Sequence, residues 1–158
     1  DIYVLSNHIP LQATKSTVDE NRNAEYLSAI ENFHQYFFTL PPDEKYIQTQ
    51  MNKAMYLVDN SGIAQYNTLK EKGYFTNLIS TSSNITIVTD SILMNGNQFT
   101  FYATQKIERP TLITIRTLVT SGFIQDVPRT DNNAHGVLIV RWKTLENNDI
   151  SSTPKRIY

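Results

Sequence analysis

The sequence contains no cysteine, which excludes disulfide bonds, thiolate metal sites and thiol nucleophiles. Only five of its 158 residues are glycine, and no glycine-rich phosphate-binding motif occurs. No apolar run approaches the roughly 20 residues of a membrane-spanning helix. An excess of one charge is also lacking, because 14 Lys and Arg oppose 15 Asp and Glu. Since the basic residues are scattered as well, direct nucleic-acid binding is not expected.

The length and composition are typical of one globular domain. Hydrophobic residues make up 40% of the 158-residue chain and charged residues 18%. We assign residues 1–150 to a single α+β domain and expect residues 151–158, SSTPKRIY, to form a flexible tail. The chain begins with the strand-like run DIYVLSNH without an initiator Met, so we expect it to be a segment of a longer protein.

Three helices are predicted in the N-terminal half. In the first, from about Ala24, apolar residues recur at steps of four and three until Pro41-Pro42 ends the helix. Asp43 is predicted to cap the second helix, and the third is predicted to stop at Gly73. The apolar stripe of the first helix consists of Tyr26, Ile30, Phe33, Phe37 and Leu40.

After Gly73 the pattern changes to β-branched and aromatic residues with a period of two. It predicts strands at 74–80, 84–94, 97–108, 111–121 and 136–145. Asn95-Gly96 predicts a hairpin between the second and third of them. One-sided alternation is typical of an antiparallel sheet with one covered face. The residues predicted to share one face in each of the last three strands are Phe99, Phe101, Ala103 and Ile107; Ile113, Ile115 and Val119; and Leu138, Val140 and Trp142.

The three histidines, His8, His34 and His135, are far apart and lack the spacing of a zinc site, so no metal or cofactor is predicted. His34 borders the aromatic face of the first helix, and Asp90 is the only carboxylate inside a predicted strand. One hypothesis is therefore an acid–base enzyme or small-molecule carrier with His34 and Asp90 in a cup between helices and sheet. The alternative leaves His34 half-buried and Asp90 in water.

Large aromatic side chains decide between these two hypotheses. If they fill the cup, no cavity remains for a substrate, and we expect filling because protein interiors are close-packed. We therefore expect no enzymatic activity. The side chains available for filling are Phe33, Phe37, Phe99, Phe101 and Trp142.

Three separated blocks resemble the TraK family of conjugative-transposon transfer proteins. They are FHQYFFTLPPDEKYI (33–47), AMYLVDNSGIAQYNTLKEKGYFTNLIS (54–80) and RTDNNAHGVLIVRWKTLENNDI (129–150). TraK proteins are in turn similar to the inner-membrane assembly subunit of type IV secretion systems. The resemblance implies a cystatin-like (nuclear-transport-factor-two-like) fold, with N-terminal helices packed on a curved antiparallel sheet. It also implies a periplasmic domain of a bacterial inner-membrane protein, held in the membrane by an N-terminal helix outside this chain.

The segment before the last strand, RTDNNAHG, is a turn-forming loop by composition. The family carries an N-P-x-G motif here, associated with subunit contacts, and this chain has Asn133-Ala134-His135-Gly136 with Ala134 in place of proline. The resemblance therefore implies a protein-interaction region at Arg129, Asn132, Asn133 and Gly136. The implied function is non-enzymatic assembly of a conjugation channel, through other transfer subunits and at most weak self-association. Contact with transferred DNA is a weaker alternative, which the balanced charge opposes.

Overall fold

A computed structural model describes residues 2–4 and 18–155 of the chain, with side chains from residue 22 onward. His8 lies outside the described residues. After a first short strand, helices come first and strands follow, which confirms the α+β class. The elements are β1 (Ile2–Val4), α1 (Val18–Phe38), α2 (Glu44–Met55), α3 (Asn60–Glu71), α4 (Tyr74–Ser80), β2 (Asn84–Asn95), β3 (Gln98–Glu108), β4 (Leu112–Asp126), β5 (Val137–Glu146) and β6 (Asp149–Pro154).

Helix α1 starts before the predicted boundary and ends just ahead of Pro41-Pro42, as predicted. Beyond its end, the backbones of Leu40 and Ile85 exchange two hydrogen bonds of 2.9 Å, which tie this turn to β2. The predicted apolar stripe faces the core. Tyr26 is half-buried, and the buried members are Ile30, Phe33, Phe37 and Leu40.

Carboxylates cap the next two helices. Asp43 caps α2 by accepting a hydrogen bond from a first-turn backbone N–H at 3.1 Å, which confirms the prediction. Asp59 caps α3 by accepting from the N–H of Ser61 at 3.0 Å, and its other oxygen accepts from the N–H of Arg141 in β5 at 3.2 Å. The N-terminal cap of α3 therefore also joins this helix to the sheet. At the other end of α3, Gly73 follows the helix with φ +73°.

The strand predicted at 74–80 is wrong, because these residues form α4. A short apolar run does not distinguish a strand from a buried helix by periodicity alone. Phe75 and Leu78, three residues apart, are buried on one face of α4. The Phe75 ring contacts the ring of Tyr66 in α3, with 5.6 Å between centroids. Packing against a neighbouring helix decides the conformation here.

The strands form one antiparallel sheet in the order β1-β2-β3-β4-β5, with β6 also paired to β4. The predicted hairpin is confirmed: Asn95 pairs with Gln98, and Gly96 has φ +65°. Register shifts between β2 and β3 and between β4 and β5 mark bulges, which bend the strands. The predicted inner face of β3 is buried, namely Phe99, Phe101, Ala103 and Ile107.

The prediction that Ile113, Ile115 and Val119 lie on the covered face of β4 is wrong. Leu118 pairs with Ala103 and Thr120 with Phe101, so the even-numbered residues of β4 lie on the buried face of β3. Ile113, Ile115 and Val119 lie on the opposite face and are half-buried. The polar Thr120 is accepted in the core because its hydroxyl has a buried hydrogen-bond partner, described below.

The face predicted for β5 is partly wrong. Val137 and Ile139 are buried, whereas Leu138 and Val140 are half-buried on the other side. Arg141 then adopts φ +51° at a register shift, so Trp142 returns to the buried face. One extra residue in a bulge reverses the alternation, which a strict period of two does not anticipate.

The flexible tail expected at 151–158 is corrected for its first part, because residues 151–154 belong to β6, and residues 156–158 lie outside the described residues. This strand pairs from Leu112↔Pro154 to Arg116↔Asp149 along the first half of β4. Every side chain of β6 is exposed, so the sequence carries no alternation. The segment is ordered by backbone hydrogen bonds to the first half of β4, which does not pair with β5.

Candidate functional site

The cup between helices and sheet is filled. Phe33, Phe37, Phe99, Phe101 and Trp142 are each between 0% and 3% exposed. The rings of Phe33, Phe37 and Trp142 contact one another edge-on or tilted, as in the Phe33–Trp142 pair at 4.8 Å between centroids. Phe99 and Phe101 both contact the ring of His34. These aromatics therefore occupy the space that a substrate pocket would need.

His34 is a core residue with both ring nitrogens satisfied. Nδ1 lies 2.7 Å from the carbonyl oxygen of Ile30, and Nε2 lies 2.7 Å from Oγ1 of Thr120. Since a carbonyl only accepts, Nδ1 carries the proton and Nε2 accepts from the Thr120 hydroxyl. The ring stacks on Phe101 with centroids 3.7 Å apart. Burial lowers the pKa of His34 to about 3, so the imidazole is neutral.

The proposed His34–Asp90 pair does not form. Asp90 is exposed on the other face of the sheet, where it accepts a hydrogen bond from Thr104 at 2.9 Å. It is the extra residue at the register shift between Thr89 and Ser91. His34 is buried between helices and sheet, whereas the bulge places Asp90 on the exposed face, so the two side chains do not meet. The acid–base hypothesis that depends on this pair is wrong.

The loop before β5, residues 127–136, makes hydrogen bonds within itself and to neighbouring elements. The backbones of Thr130 and Asn133 bond to each other in both directions at 3.1 Å. Asn133 is only 6% exposed; its amide donates to the carbonyl of Val137 at 2.9 Å and to that of Tyr56 at 3.4 Å. Its side chain therefore fastens the loop to β5 and to the end of α2.

Gly136 is required by the path of the loop. Its φ is +63°, and an added Cβ would lie 2.6 Å from the carbonyl oxygen of Val127. A side chain in this left-handed conformation would be strained even without that contact. Asn133 and Gly136, the two positions that keep the family motif, therefore shape the loop from inside.

Arg129 and Asn132 are the exposed members of the predicted set. Arg129 forms a two-pronged ion pair with Glu25 of α1, at 2.7 and 2.9 Å. Hydrogen bonding to Arg129 holds the pKa of Glu25 at about 2. His135 is half-buried, with Nδ1 3.4 Å from the same carboxylate. A subunit contact through these residues stays a prediction.

Sequence reasoning missed the residues of α1 that hold this loop. Arg22, Glu25 and Tyr26 each contact a residue at least 100 positions later in the chain. No motif or local spacing connects positions that far apart. Charged side chains near the start of a helix are also ordinary, so nothing in the sequence singled out Arg22 and Glu25, and Tyr26 was noted only as part of the apolar stripe.

A groove of about 490 Å³ lies where the loop meets α1 and α2. Its lining combines aromatic rings with amide side chains, which suit both apolar contact and hydrogen bonding. Asn132 lies on the loop side of the groove, and Tyr56, which is 55% exposed, lies opposite at the end of α2. The other principal lining residues are Asn32, Tyr36, Lys53 and His135.

The part of the chain that the structure describes lacks two features. No cluster of three or more His, Cys, Asp or Glu side chains suited to a metal ion occurs among those residues. Within residues 2–4 and 18–155, no helix has the length and apolar character needed to cross a membrane.

The comparison with known proteins rests on structure. No protein-family model matches the sequence, and no curated protein matches it. Among solved structures, the chain is similar to the soluble domain of TrwG, type IV secretion machinery from Bartonella grahamii. The superposition covers 92% of this chain and 99% of the other, with a TM-score of 0.51 and 17% sequence identity. The chain shares the fold of that domain.

Because the match extends over almost the full length of both chains, it includes helices and sheet together. At 17% sequence identity the match shows a shared fold and assigns no role to individual residues of this chain.

Proposed function

We propose that this protein is a non-enzymatic assembly component of a type IV secretion apparatus. The fold shared with the soluble domain of TrwG supports the proposal most strongly. The packing of the cup supports the non-enzymatic part, because its aromatic residues leave no substrate cavity between helices and sheet.

We further propose the finer assignments that the sequence resemblance implies. These are a TraK-type component of a conjugative DNA-transfer system, a cystatin-like fold and a position on the periplasmic side of the inner membrane. The antiparallel sheet with helices on one face is consistent with that fold. Membrane attachment would come from a helix outside this chain and would raise the local concentration of weak contacts.

The surface proposed for contacts with other subunits is the 129–136 loop together with the adjoining groove. Arg129 and Asn132 are exposed there, and the partly exposed ring of Tyr56 faces the same groove. Aromatic and arginine side chains are enriched among the residues that dominate binding energy at protein interfaces. We expect the partners to be other secretion subunits, or a second copy of this chain bound weakly.

Single-cysteine cross-linking tests the proposal, because the chain has no cysteine of its own. Asn132→Cys is placed in the full-length protein, with any cysteine outside this chain replaced by serine, and expressed in its native host with the rest of the transfer system. The control is Asn67→Cys, an equally exposed amide position on α3, away from the groove. A bifunctional maleimide is expected to join Asn132→Cys, but not Asn67→Cys, to another transfer subunit or a second copy.

Two results together would contradict the proposal. One is the absence of any adduct from Asn132→Cys although the thiol is accessible to a monofunctional maleimide. The other is normal DNA transfer after deletion of the gene.

A further inference from the structure

The N-terminal part of α1 holds both ends of the loop before β5. The guanidinium of Arg22 donates to the carboxylate of Asp126 at 2.8 Å, where β4 ends. The same group donates to the carbonyl oxygens of His135 at 2.5 Å and Gly136 at 2.7 Å, just before β5 begins. One side chain therefore joins the start and the end of the loop across more than 100 residues of sequence.

A second connection lies one turn further along α1. Glu25 accepts both prongs of Arg129, and Arg129 also donates to the carbonyl of Ala134 at 3.2 Å. Tyr26 donates its hydroxyl to Asp126 at 2.9 Å. The side chains of Arg22 and Glu25 are only 17% and 22% exposed, whereas their partners Asp126 and Arg129 are 65% and 60% exposed. The α1 side of each ion pair is therefore shielded from water, and the loop side is not.

These contacts tie the position of the loop to that of α1, because the loop makes few backbone hydrogen bonds of its own. Apart from the Thr130–Asn133 pair, its backbone bonds run from Val127 N to Gly136 O and from Gly136 N to Asn133 O. Several of the remaining bonds come from side chains of α1. Residues 131–135 also form one wall of the groove, so the position of α1 sets the shape of that wall.

We propose that Arg22 and Glu25 form a latch through which the start of α1 holds the 127–136 loop in its contact conformation. Displacement of this end of α1 would release the loop and reshape the groove. The latch is a positioning device, because neither residue belongs to the contact set itself. The use of the loop for subunit contacts rests on the proposed function, whereas the mechanical link between α1 and the loop does not.

Hydrogen exchange of the purified domain tests the link, with Arg22→Gln as the main variant. We expect exchange at the Asn133, Gly136 and Val137 amides to rise on the order of tenfold or more, since charge-assisted bonds are lost. Exchange at Phe101, in the middle of the sheet, should not change. Arg22→Lys should restore the loop only in part, because the three donors of an ammonium group cannot serve the four acceptors of Arg22, which are Asp126, Glu25 and the carbonyls of His135 and Gly136.

Arg116→Gln is the matched control. Arg116 also pairs with an aspartate, Asp149, with its side chain 29% exposed, but its pair joins β4 to β6. Its loss should leave exchange in the 127–136 loop unchanged. If Arg22→Gln fails to fold, Glu25→Gln weakens the second connection and the 3.2 Å Arg22–Glu25 contact but leaves the bonds of Arg22 to Asp126, His135 and Gly136 in place, so it should raise loop exchange by a smaller factor.

The proposal is overturned if loop exchange is unaffected by both α1 variants. It is equally overturned if the Phe101 amide accelerates as much as the loop, which would mean global destabilisation. The cross-linking experiment separates this result from the proposed function. Loss of the Asn132→Cys adduct in the Arg22→Gln background would support the latch and the contact role together. Faster loop exchange with no adduct in either background would support the latch alone.

Discussion

Single residues in this domain owe their roles to contacts distant in sequence. Asn133 and Gly136 looked like parts of a contact motif, but the structure buries both. His34 was a candidate acid–base residue in one hypothesis, but its ring is stacked on Phe101 in the core and its Nδ1–H donates to the carbonyl oxygen of Ile30. In each case the residues that pack around the side chain, and not the residue type alone, determine its role.

Gly136→Ala is predicted to destabilise the domain by about 3 kcal/mol, since strain at positive φ adds to a clash with the Val127 carbonyl. Gly96→Ala is the matched control, because Gly96 has φ +65° with nothing within 4 Å of an added Cβ. It should cost only about 1 kcal/mol. Urea unfolding of both variants measures the difference, and equal losses would contradict the close packing at Gly136.

The buried imidazole of His34 predicts a loss of stability in acid. In the unfolded chain the ring takes a proton below its ordinary pKa of 6.5, but in the folded protein only below a pKa of about 3. Its contribution is therefore complete above pH 6.5 and is lost as the pH falls from 6.5 toward 3. Each pH unit inside this window should lower the free energy of unfolding by about 1.4 kcal/mol.

Urea unfolding of the unsubstituted chain and of His34→Gln at several pH values checks this slope. The slope between pH 6 and pH 5 should flatten in His34→Gln, because the buried imidazole is absent from that variant. An NMR titration in which the folded His34 ring takes up its proton near pH 6.5 would refute the account.

At the scale of elements, prediction succeeded where an element carries its own periodicity. The helical stripe ending at Phe37, the cap at Asp43 and the Asn95-Gly96 hairpin were each readable from neighbouring residues. The errors fell on α4, β4, β5 and β6. There the outcome depends on a packing partner, a bulge or backbone pairing, none of which leaves a local pattern.

Strand β6 provides a test at this scale. Truncation after Asn148 removes the strand and leaves half of β4 unpaired, so it should cost about 3 kcal/mol through lost backbone hydrogen bonds. Ile150→Ser should be nearly neutral, because this side chain is 62% exposed. Thermal unfolding distinguishes the two variants. An unchanged melting temperature after truncation would instead support the flexible tail expected from the sequence.

For the whole molecule, the distribution of exposed apolar side chains limits how strongly the domain can self-associate. Among the described residues, the six large exposed apolar side chains come from five different elements. No single helix or strand of that part of the chain therefore presents a continuous apolar face of the kind that an obligate dimer buries. The exposed side chains are Tyr46 and Tyr56 of α2 and its C-cap, Ile63 of α3, Val88 of β2, Leu145 of β5 and Ile150 of β6.

We therefore predict that the purified domain is monomeric at about 10 μM and associates only weakly above that concentration. Sedimentation equilibrium over a range of concentrations measures this. A dimer that persists at nanomolar concentration would contradict the prediction and would require an extensive interface on one face of the domain.

The sequence by itself determined the α+β class, the three long helices, the aromatic filling of the core and the absence of thiol chemistry. These features depend on composition and on periodicities of two or 3.6 residues, which neighbouring residues carry. Only the tertiary structure decided which face of β4 is buried, that His34 and Asp90 lie apart and that Arg22 reaches the loop before β5. Those outcomes depend on strand register, on bulges and on contacts between residues about 100 positions apart, which exist only once the chain is folded.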